Sequence, residues 1–238
     1  MVTSEDAPKL IIEDHYAYMF GYPNLTFRSD NNMTRAEATA MFARIMEQKP
    51  IIGKQYPSDF KDVKDGDWYY DAIGFMKDMG VISGYPDGTF KPDAPITRGE
   101  FAMMASKFAK LSPFSSNSFS DLQENHWAFG VINSAVSKGW VNGYPDGTFK
   151  ADREITRAEV VTIVNRMLNR KADEGFVLEN QHLLVQFKDI NKSQWAYLNI
   201  MEATHGHDYS RKTNGIDEIW HRLNGKDFPF AVVGYFEK

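Results

Sequence analysis

Apolar residues recur at helical spacing in two kinds of segment along this chain. In the first kind, a tryptophan opens a stretch that closes near a glycine, as in residues 68–80, 127–138 and 195–205. In the second kind, a Thr-Arg-x-Glu motif precedes apolar positions such as Phe101 and Met104. This spacing places the apolar side chains on one face of a helix. The pattern therefore predicts amphipathic helices of two alternating types.

The ends of these helices carry their own signals. Each Thr-Arg-x-Glu motif offers a threonine N-cap with a glutamate three residues later, which is a capping box. The threonines are Thr34, Thr97 and Thr156. Glycines suited to a left-handed C-terminal residue follow the tryptophan helices. They are Gly80, Gly139 and Gly206.

A seven-residue sequence, GYPDGTF, lies between the two kinds of helix and occurs twice, at 84–90 and 143–149. A decayed copy, GYPNLTF, occupies 21–27. Pro-Asp-Gly predicts a tight turn with positive φ at Gly88 and Gly147. Leu25 stands at that position in the decayed copy, where a side chain is costly. We therefore expect the first loop to have another shape.

The two kinds of segment are offset by half a repeat. The N-terminal region holds only a loop with its Thr-Arg-x-Glu helix, and the C-terminal region holds only a tryptophan segment. We expect a mainly α protein in which three helix–loop–helix repeats form a closed pseudo-threefold bundle, with the first and last half-repeats pairing. Its predicted parts are 15–50, 58–112, 117–170 and 185–210, in a domain over 1–210.

The C-terminal tail, residues 211–238, does not follow the repeat. Apolar residues at 216, 219, 220 and 223 predict one short helix within 215–225. Residues 228–236 are apolar with adjacent β-branched Val232 and Val233, so they suit a strand.

Composition narrows the function classes. The net charge of −5 argues against nonspecific binding of nucleic acid, which needs a basic face. The chain contains no cysteine, which excludes disulfides, thiolate metal sites and thiol nucleophiles. It has no apolar run of about 18 residues, so we expect no insertion into a membrane.

The arginine of the Thr-Arg-x-Glu motif is the first candidate for ligand binding. It recurs as Arg35, Arg98 and Arg157 at the first position of a helix, where a cation is mildly unfavourable. An arginine beside free helix amides forms an anion site for a carboxylate or phosphate. It could instead pair with an aspartate of the preceding loop or lie in solvent beside a capping box.

Tryptophans and loop glycines are the second set of candidates. Trp68, Trp127 and Trp195 either pack in the core or offer a flat stacking surface for a sugar ring. Gly84 and Gly143 either permit the turn or let a ligand approach the main chain.

Candidates for metal or catalytic chemistry are weak. His205-Gly-His207-Asp208 lacks a partner histidine or cysteine motif, and the Asp-Gly-Thr turns lack the alternating ligands of a calcium loop. No nucleophile triad or phosphate loop is present, although a pair of catalytic carboxylates stays open. We assign no catalytic residue, no metal and no cofactor.

The repeated pattern Phe-x-Asp, Trp, GYPDGTF-Lys and Thr-Arg-x-Glu closely resembles the S-layer homology (SLH) domain over residues 15–205. The resemblance implies a pseudo-threefold bundle of three repeats in a bacterial surface protein. It also implies noncovalent attachment to a secondary cell-wall polysaccharide, often one with a pyruvate ketal, bound in grooves between repeats. Carried over, the groove residues are Arg35, Arg98, Arg157, Trp68, Trp127, Gly84 and Gly143.

We therefore expect a noncatalytic module at the cell surface, in the cell wall or S-layer, that anchors to a pyruvylated wall polysaccharide. Two alternatives stay open, a protein-interaction scaffold and a surface-bound enzyme that acts on the wall. We expect a monomer, because closure of the ring already buries the faces of the repeats.

Overall fold

The computed structural model describes residues 8–51, 54–109 and 117–225. The prediction of a mainly helical protein is confirmed. The helices are α1 (Arg35–Ile45), α2 (Tyr70–Asp78), α3 (Arg98–Ser106), α4 (Phe129–Ser137), α5 (Arg157–Met167), α6 (Glu174–Glu179) and α7 (Tyr197–Thr204), with a 3-10 turn at Gln181–Leu183. Two strands follow, β1 (His207–Arg211) and β2 (Glu218–Leu223). No helix in these ranges is long and apolar enough to cross a membrane.

The described chain divides into two compact units. The first unit holds residues 8–10 and 32–155, and the second holds 11–31 and 156–225. In the first unit α1 packs on α2 and α3 packs on α4. In the second unit α7 packs on α5 and α6, and β1 pairs with β2.

The capping boxes form at all three Thr-Arg-x-Glu motifs, so this prediction is confirmed. In each, the threonine hydroxyl accepts a hydrogen bond from the glutamate amide, and the glutamate side chain accepts one from the threonine amide. These reciprocal bonds fix where α1, α3 and α5 begin.

The tryptophan helices end as predicted in two cases of three. Gly80 and Gly139 follow α2 and α4 with φ of 68° and 72°, which favours glycine. The prediction for Gly206 is wrong, because α7 ends at Thr204, the next residue His205 is extended, and β1 begins at His207.

All three loops have the same turn, so the expectation of a different first loop is wrong. Leu25 has φ of 61°, close to the 82° of Gly88. The amides of Leu25 and Gly88 each donate to a tyrosine carbonyl at 2.9 Å. Asn24 keeps the hydrogen bond that the aspartate makes in the other loops, since its Oδ1 accepts from the Thr26 hydroxyl at 2.7 Å. Surrounding hydrogen bonds therefore hold the turn despite the side chain.

The aspartate of each Phe-x-Asp motif binds the end of a loop. Its two carboxylate oxygens accept from two consecutive loop amides at 2.6–2.8 Å. The pairs are Asp62 with Phe90 and Lys91, Asp121 with Phe149 and Lys150, and Asp189 with Phe27 and Arg28. In the second unit, the last Phe-x-Asp segment thus binds the first loop.

The first unit contains a cyclic set of backbone hydrogen bonds. The Met33 amide donates to Ile155, the Ile155 amide to Ile96, and the Ile96 amide to Met33, at 2.9–3.0 Å. All three residues are buried, and each directly precedes a threonine N-cap. One backbone group from each repeat therefore meets at a common centre.

The second unit ends in an antiparallel hairpin rather than the predicted helix, so the helix within 215–225 is wrong. In β2 the side chains of Glu218 and Trp220 point inward and Ile219 is exposed. The helical spacing fails here because it predicts that Ile219 is buried and Glu218 is solvated, whereas the structure has the reverse. The strand predicted over 228–236 lies outside the described residues.

The left-handed conformation of Leu25 gives a test of the shared turn. Leu25→Gly is expected to raise the free energy of unfolding by about 0.5–1 kcal/mol, because glycine adopts positive φ without steric cost. Urea denaturation measures the change. Leu25→Ala is the control, since it shortens the side chain but keeps Cβ, and it should give no such gain. A neutral or destabilised Leu25→Gly protein would contradict the shared turn.

Candidate functional site

The motif arginines are buried, and each donates hydrogen bonds to the loop of another repeat. Their exposed fractions are 7%, 5% and 5% for Arg35, Arg98 and Arg157. Each Nε donates to the carbonyl of the loop's final phenylalanine. The pairs are Arg35 with Phe90 at 2.8 Å, Arg98 with Phe149 at 2.8 Å, and Arg157 with Phe27 at 2.9 Å.

A second nitrogen of each guanidinium holds the start of the same loop. The Nη2 atoms donate to carbonyls of Ser83, Asn142 and Phe20 at 3.4, 3.1 and 2.8 Å. Each arginine thus bridges both ends of a loop through two separate nitrogens of its planar guanidinium, a spacing that the single nitrogen of a lysine does not offer. The alternatives of a solvated arginine and of pairing with a loop aspartate do not describe these bonds.

The helix amides expected to bind an anion are already occupied, so this part of the sequence interpretation is wrong. The first two amides of each helix donate to carbonyls of a loop segment at 2.8–3.0 Å. The pairs are Arg35 to Ala94, Ala36 to Pro92, Arg98 to Arg153, Gly99 to Ala151, Arg157 to Asn31 and Ala158 to Ser29. The next amide of each helix donates to the capping threonine, which completes the first turn.

The loop glycines make room for an aromatic ring. A Cβ at Gly84 would lie 2.3 Å from Cε1 of Phe60, and one at Gly143 would lie 2.3 Å from Cε1 of Phe119. Neither Gly84 nor Gly143 is among the glycines with positive φ. The phenylalanine of Phe-x-Asp therefore packs directly on the loop backbone, which gives these glycines a structural role.

Two of the three tryptophans face solvent. Trp127 is 54% exposed and Trp195 is 63% exposed, so neither fills a core. Trp68 is half-buried and meets the Tyr69 ring edge-on, with centroids 5.3 Å apart. An exposed indole face on a repeated motif is suited to stacking with a flat ligand surface.

One groove of the first unit, of 620 Å³, brings three predicted residues together. Arg35, Gly84 and Trp127 all line it. The other predicted residues, Arg98, Arg157, Trp68, Trp195 and Gly143, do not line this groove. Its further lining comes from the segment 80–85, from Thr97 and α3 with Glu100, Met103 and Met104, and from Lys107 and Asp152.

Glu100 organises the polar side of the groove. Its Oε1 accepts from Nη1 of Arg35 at 3.0 Å and from the Tyr85 hydroxyl at 2.8 Å, and its Oε2 accepts from the Thr97 amide at 2.9 Å. Burial, together with the hydrogen bond to Glu100, raises the pKa of Tyr85 above its ordinary value. The charge of Arg35 is therefore largely neutralised inside the protein.

Lys107 supplies an exposed positive charge on the groove wall, and sequence reasoning missed it. A signal was present, because the residue nine positions after each motif arginine is basic. These residues are Arg44, Lys107 and Arg166. The repeat thus provides a cation at the C-terminal end of the helix in every copy. In this groove it lies beside the apolar Met103 and Met104.

Neighbouring residues hold Trp127 at the groove wall. Its ring lies 5.4 Å from the ring of His126, whose Nδ1 accepts from the Ala128 amide at 3.1 Å. The His126 Nε2 lies 3.5 Å from Asp152 Oδ1. On the other side, a Cβ at Gly99 would meet Trp127 Cζ2 at 3.4 Å, so the indole already lies in contact distance of α3.

Three segments of the chain match the S-layer homology domain, over residues 16–39, 59–102 and 118–161. The chain carries three S-layer homology domains. The matched segments contain the motif arginines, the loop glycines and two of the tryptophans. Trp195 lies outside them, in the segment that binds the first loop through Asp189.

Bacterial proteins similar to this chain include an anchoring protein, a cell surface glycoprotein and an enzyme. The chain is 38% identical over 217 residues to a cellulosome-anchoring protein of Acetivibrio thermocellus, covering 89% of this chain and 47% of the relative. It is 39% identical over 218 residues to cell surface glycoprotein 1 of the same species, covering 87% of this chain and 9% of the relative. It is 32% identical over 161 residues to an amylopullulanase of Thermoanaerobacterium thermosulfurigenes, covering 64% of this chain and 8% of the relative.

The chain therefore spans less than half the length of these curated relatives. The S-layer homology domains and the surface proteins among the relatives indicate a location at the cell surface or cell wall. This agrees with the predicted localisation.

The buried arginines predict a stability effect that is separate from ligand binding. Arg98→Lys is expected to lower the free energy of unfolding by about 1–3 kcal/mol, because one ammonium leaves a buried carbonyl of Phe149 or Asn142 without its donor. Denaturant unfolding measures this loss. Arg166→Lys, at an exposed arginine of α5, is the matched control and should unfold like wild type. Equal stability of the two variants would contradict the structural role of Arg98.

Proposed function

We propose that this chain is a noncatalytic anchoring module that binds an acidic, pyruvylated secondary cell-wall polysaccharide. The observation that supports the proposal is the groove of the first unit, where an exposed indole, an exposed ammonium and an apolar wall lie together. The relatives named for anchoring and for the cell surface support the same function.

The groove suits both the pyruvate group and the sugar ring of such a ligand. A pyruvylated sugar carries a carboxylate and a methyl group on a ring with an apolar face. Trp127 offers the surface for that ring, Met103 offers apolar contact for the methyl group, and Lys107 offers a cation for the carboxylate. Tyr85 and Arg35 shape the polar floor through Glu100. Binding needs all of these groups and no reacting side chain.

We assign the other candidate residues the roles of their counterparts in this groove, with the tryptophans as stacking surfaces and the arginines and glycines as residues that shape the binding site. Arg98 and Arg157 correspond to Arg35, Gly143 corresponds to Gly84, and Trp68 and Trp195 correspond to Trp127. We also propose that the repeats form the closed pseudo-threefold bundle and that the protein is a monomer. The cyclic hydrogen bonds of Met33, Ile96 and Ile155 support this closure.

The two other functions have weaker support. An enzyme acting on the wall needs a carboxylate free to exchange protons, whereas both oxygens of Glu100 accept hydrogen bonds from Arg35, Tyr85 and Thr97. The amylopullulanase matches this chain over only 8% of its length. A scaffold that binds proteins would need wall attachment to depend on surface proteins rather than on polymer.

Calorimetric titration with a short wall saccharide tests the proposal. The wild-type chain is expected to bind the saccharide that carries the pyruvate ketal and to bind the same saccharide without the ketal more weakly. Lys107→Ala is expected to lower affinity roughly 10–100-fold, because it removes a charge-assisted hydrogen bond of about 1.5–3 kcal/mol. Trp127→Ala should weaken binding of both saccharides, since it removes the stacking surface.

Lys138→Ala is the matched control, because Lys138 is an exposed lysine at the end of α4 and does not line the groove. Its affinity should equal that of wild type. Binding that is unchanged in folded Lys107→Ala and Trp127→Ala proteins would exclude this groove. If the chain binds walls stripped of polymer but loses binding when surface proteins are extracted, the scaffold function is favoured instead.

A further inference from the structure

Four buried side chains with metal-binding donors meet in the second unit. They are His15, Glu202, His207 and Glu218, and one donor atom of each lies within 4.8 Å of the other three. His15 comes from the segment before the first loop, Glu202 from α7, His207 from β1 and Glu218 from β2. None of the four belongs to the repeated motifs or lines the groove.

We propose that these four side chains bind one divalent ion of the zinc class in tetrahedral geometry. A tetrahedral zinc ion with bonds of about 2.0–2.2 Å places its ligand atoms roughly 3.3–3.6 Å apart. Nδ1 of His15 lies 3.0 Å from Nε2 of His207, 3.3 Å from Oε2 of Glu218 and 3.7 Å from Oε1 of Glu202. Nε2 of His207 lies 3.6 Å from each of these two carboxylate oxygens.

The carboxylate of Glu202 is the strongest sign of a missing ligand. Its side chain is fully buried, and neither of its oxygens has a hydrogen-bond partner among the described residues. A buried carboxylate without such partners is costly. The separations of 3.6–3.7 Å to both imidazoles are too long for hydrogen bonds but close to the edge of a tetrahedral site. An ion at the centre would satisfy this carboxylate.

Outer contacts already turn two ligands toward the centre. The Nδ1 of His207 is 2.9 Å from the carbonyl of His205, which places the proton there and leaves the Nε2 lone pair facing the site. The Oε1 of Glu218 accepts from the Lys171 amide at 3.1 Å and from Nη1 of Arg211 at 3.2 Å, which leaves Oε2 for the ion. Such outer contacts are what orient ligands in known metal sites.

The surroundings favour a structural ion rather than a catalytic one. The imidazole of His15 is fully buried. The ring stacks on Tyr209 at 3.7 Å between centroids, and that of His207 stacks on Trp220 at 3.8 Å. Four protein ligands complete a tetrahedral shell and leave no open position for a substrate.

The sequence offers His205, His207 and Asp208 as candidate ligands, and this local cluster by itself is weak support for a metal site. In the structure His205 uses its ring to accept from the Val185 amide, and Asp208 pairs with Arg222. Only His207 joins the cluster. Its partners at 15, 202 and 218 are brought together by the fold, so no local spacing identifies them.

The test uses the tag-free full chain, stripped with a chelator and dialysed, with zinc chloride as the probe. We expect uptake of one zinc per chain by elemental analysis after a second dialysis. At free zinc about 100 times Kd, the melting temperature should rise by roughly 5–10 °C. Cobalt in place of zinc should give the intense visible absorption of tetrahedral coordination. Glu202→Gln should lower zinc affinity at least about tenfold.

His221→Gln is the matched control, because His221 is exposed on β2 next to the buried Trp220. It should take up zinc like wild type. If Glu202→Gln does not fold, zinc uptake and the cobalt spectrum of the wild-type chain still test whether the site binds a metal ion. The proposal is overturned if the stripped wild-type chain takes up no stoichiometric zinc and its melting temperature does not change when zinc or chelator is added. Equal loss of uptake in His221→Gln and Glu202→Gln also overturns it, since surface histidines would then be the ligands.

Discussion

The loops between the helices depend on side chains to satisfy their backbone polar groups. A buried amide or carbonyl without a partner costs free energy, and these loops belong to no sheet or helix that would pair them. The aspartate of Phe-x-Asp accepts from two amides at the end of a loop, as Asp121 does from Phe149 and Lys150. A motif arginine donates to carbonyls at both ends of the same loop, as Arg98 does to Phe149 and Asn142. Each loop is thereby fixed by a carboxylate from one segment and a guanidinium from another, and the repeat sequence follows from this requirement.

This requirement changes how the repeated residues are interpreted. A guanidinium that is about 5% exposed and bonded to two carbonyls has little left for a ligand, whereas the indole of Trp127 and the ammonium of Lys107 face solvent. Folding therefore accounts for the buried part of the motif, and ligand contact falls to exposed residues that the motif positions. Loss of binding after removal of a motif arginine is ambiguous for this reason, because the variant would also release the loop that shapes the groove.

Local signals in the sequence predicted the features that depend on local chemistry. The capping boxes and the left-handed Gly80 and Gly88 require only neighbouring residues, and the structure has them.

The predictions that failed concern features that depend on contacts between residues far apart in the sequence. Leu25 keeps the glycine-like turn because its carbonyl accepts from the Lys188 amide and its loop is held by Asp189, more than 160 positions away. The hairpin at 207–223 buries Glu218 beside His15, a distant contact that helical spacing cannot anticipate. The groove was predicted in part, since its tryptophan, glycine and arginine are motif residues while Lys107 lies outside the motif.

The buried cluster and the hairpin explain each other. A two-stranded hairpin is at best marginally stable by itself, so β1 and β2 need a firm contact with the rest of their unit. The inward side chains that provide it are His207 and Trp220, which stack on each other, and Glu218, which approaches His15. Apolar residues at these positions would have supplied the same contact with no cost of burying charge. The use of two imidazoles and two carboxylates instead makes sense if a divalent ion joins them, because its binding free energy then becomes part of the folding free energy of this unit.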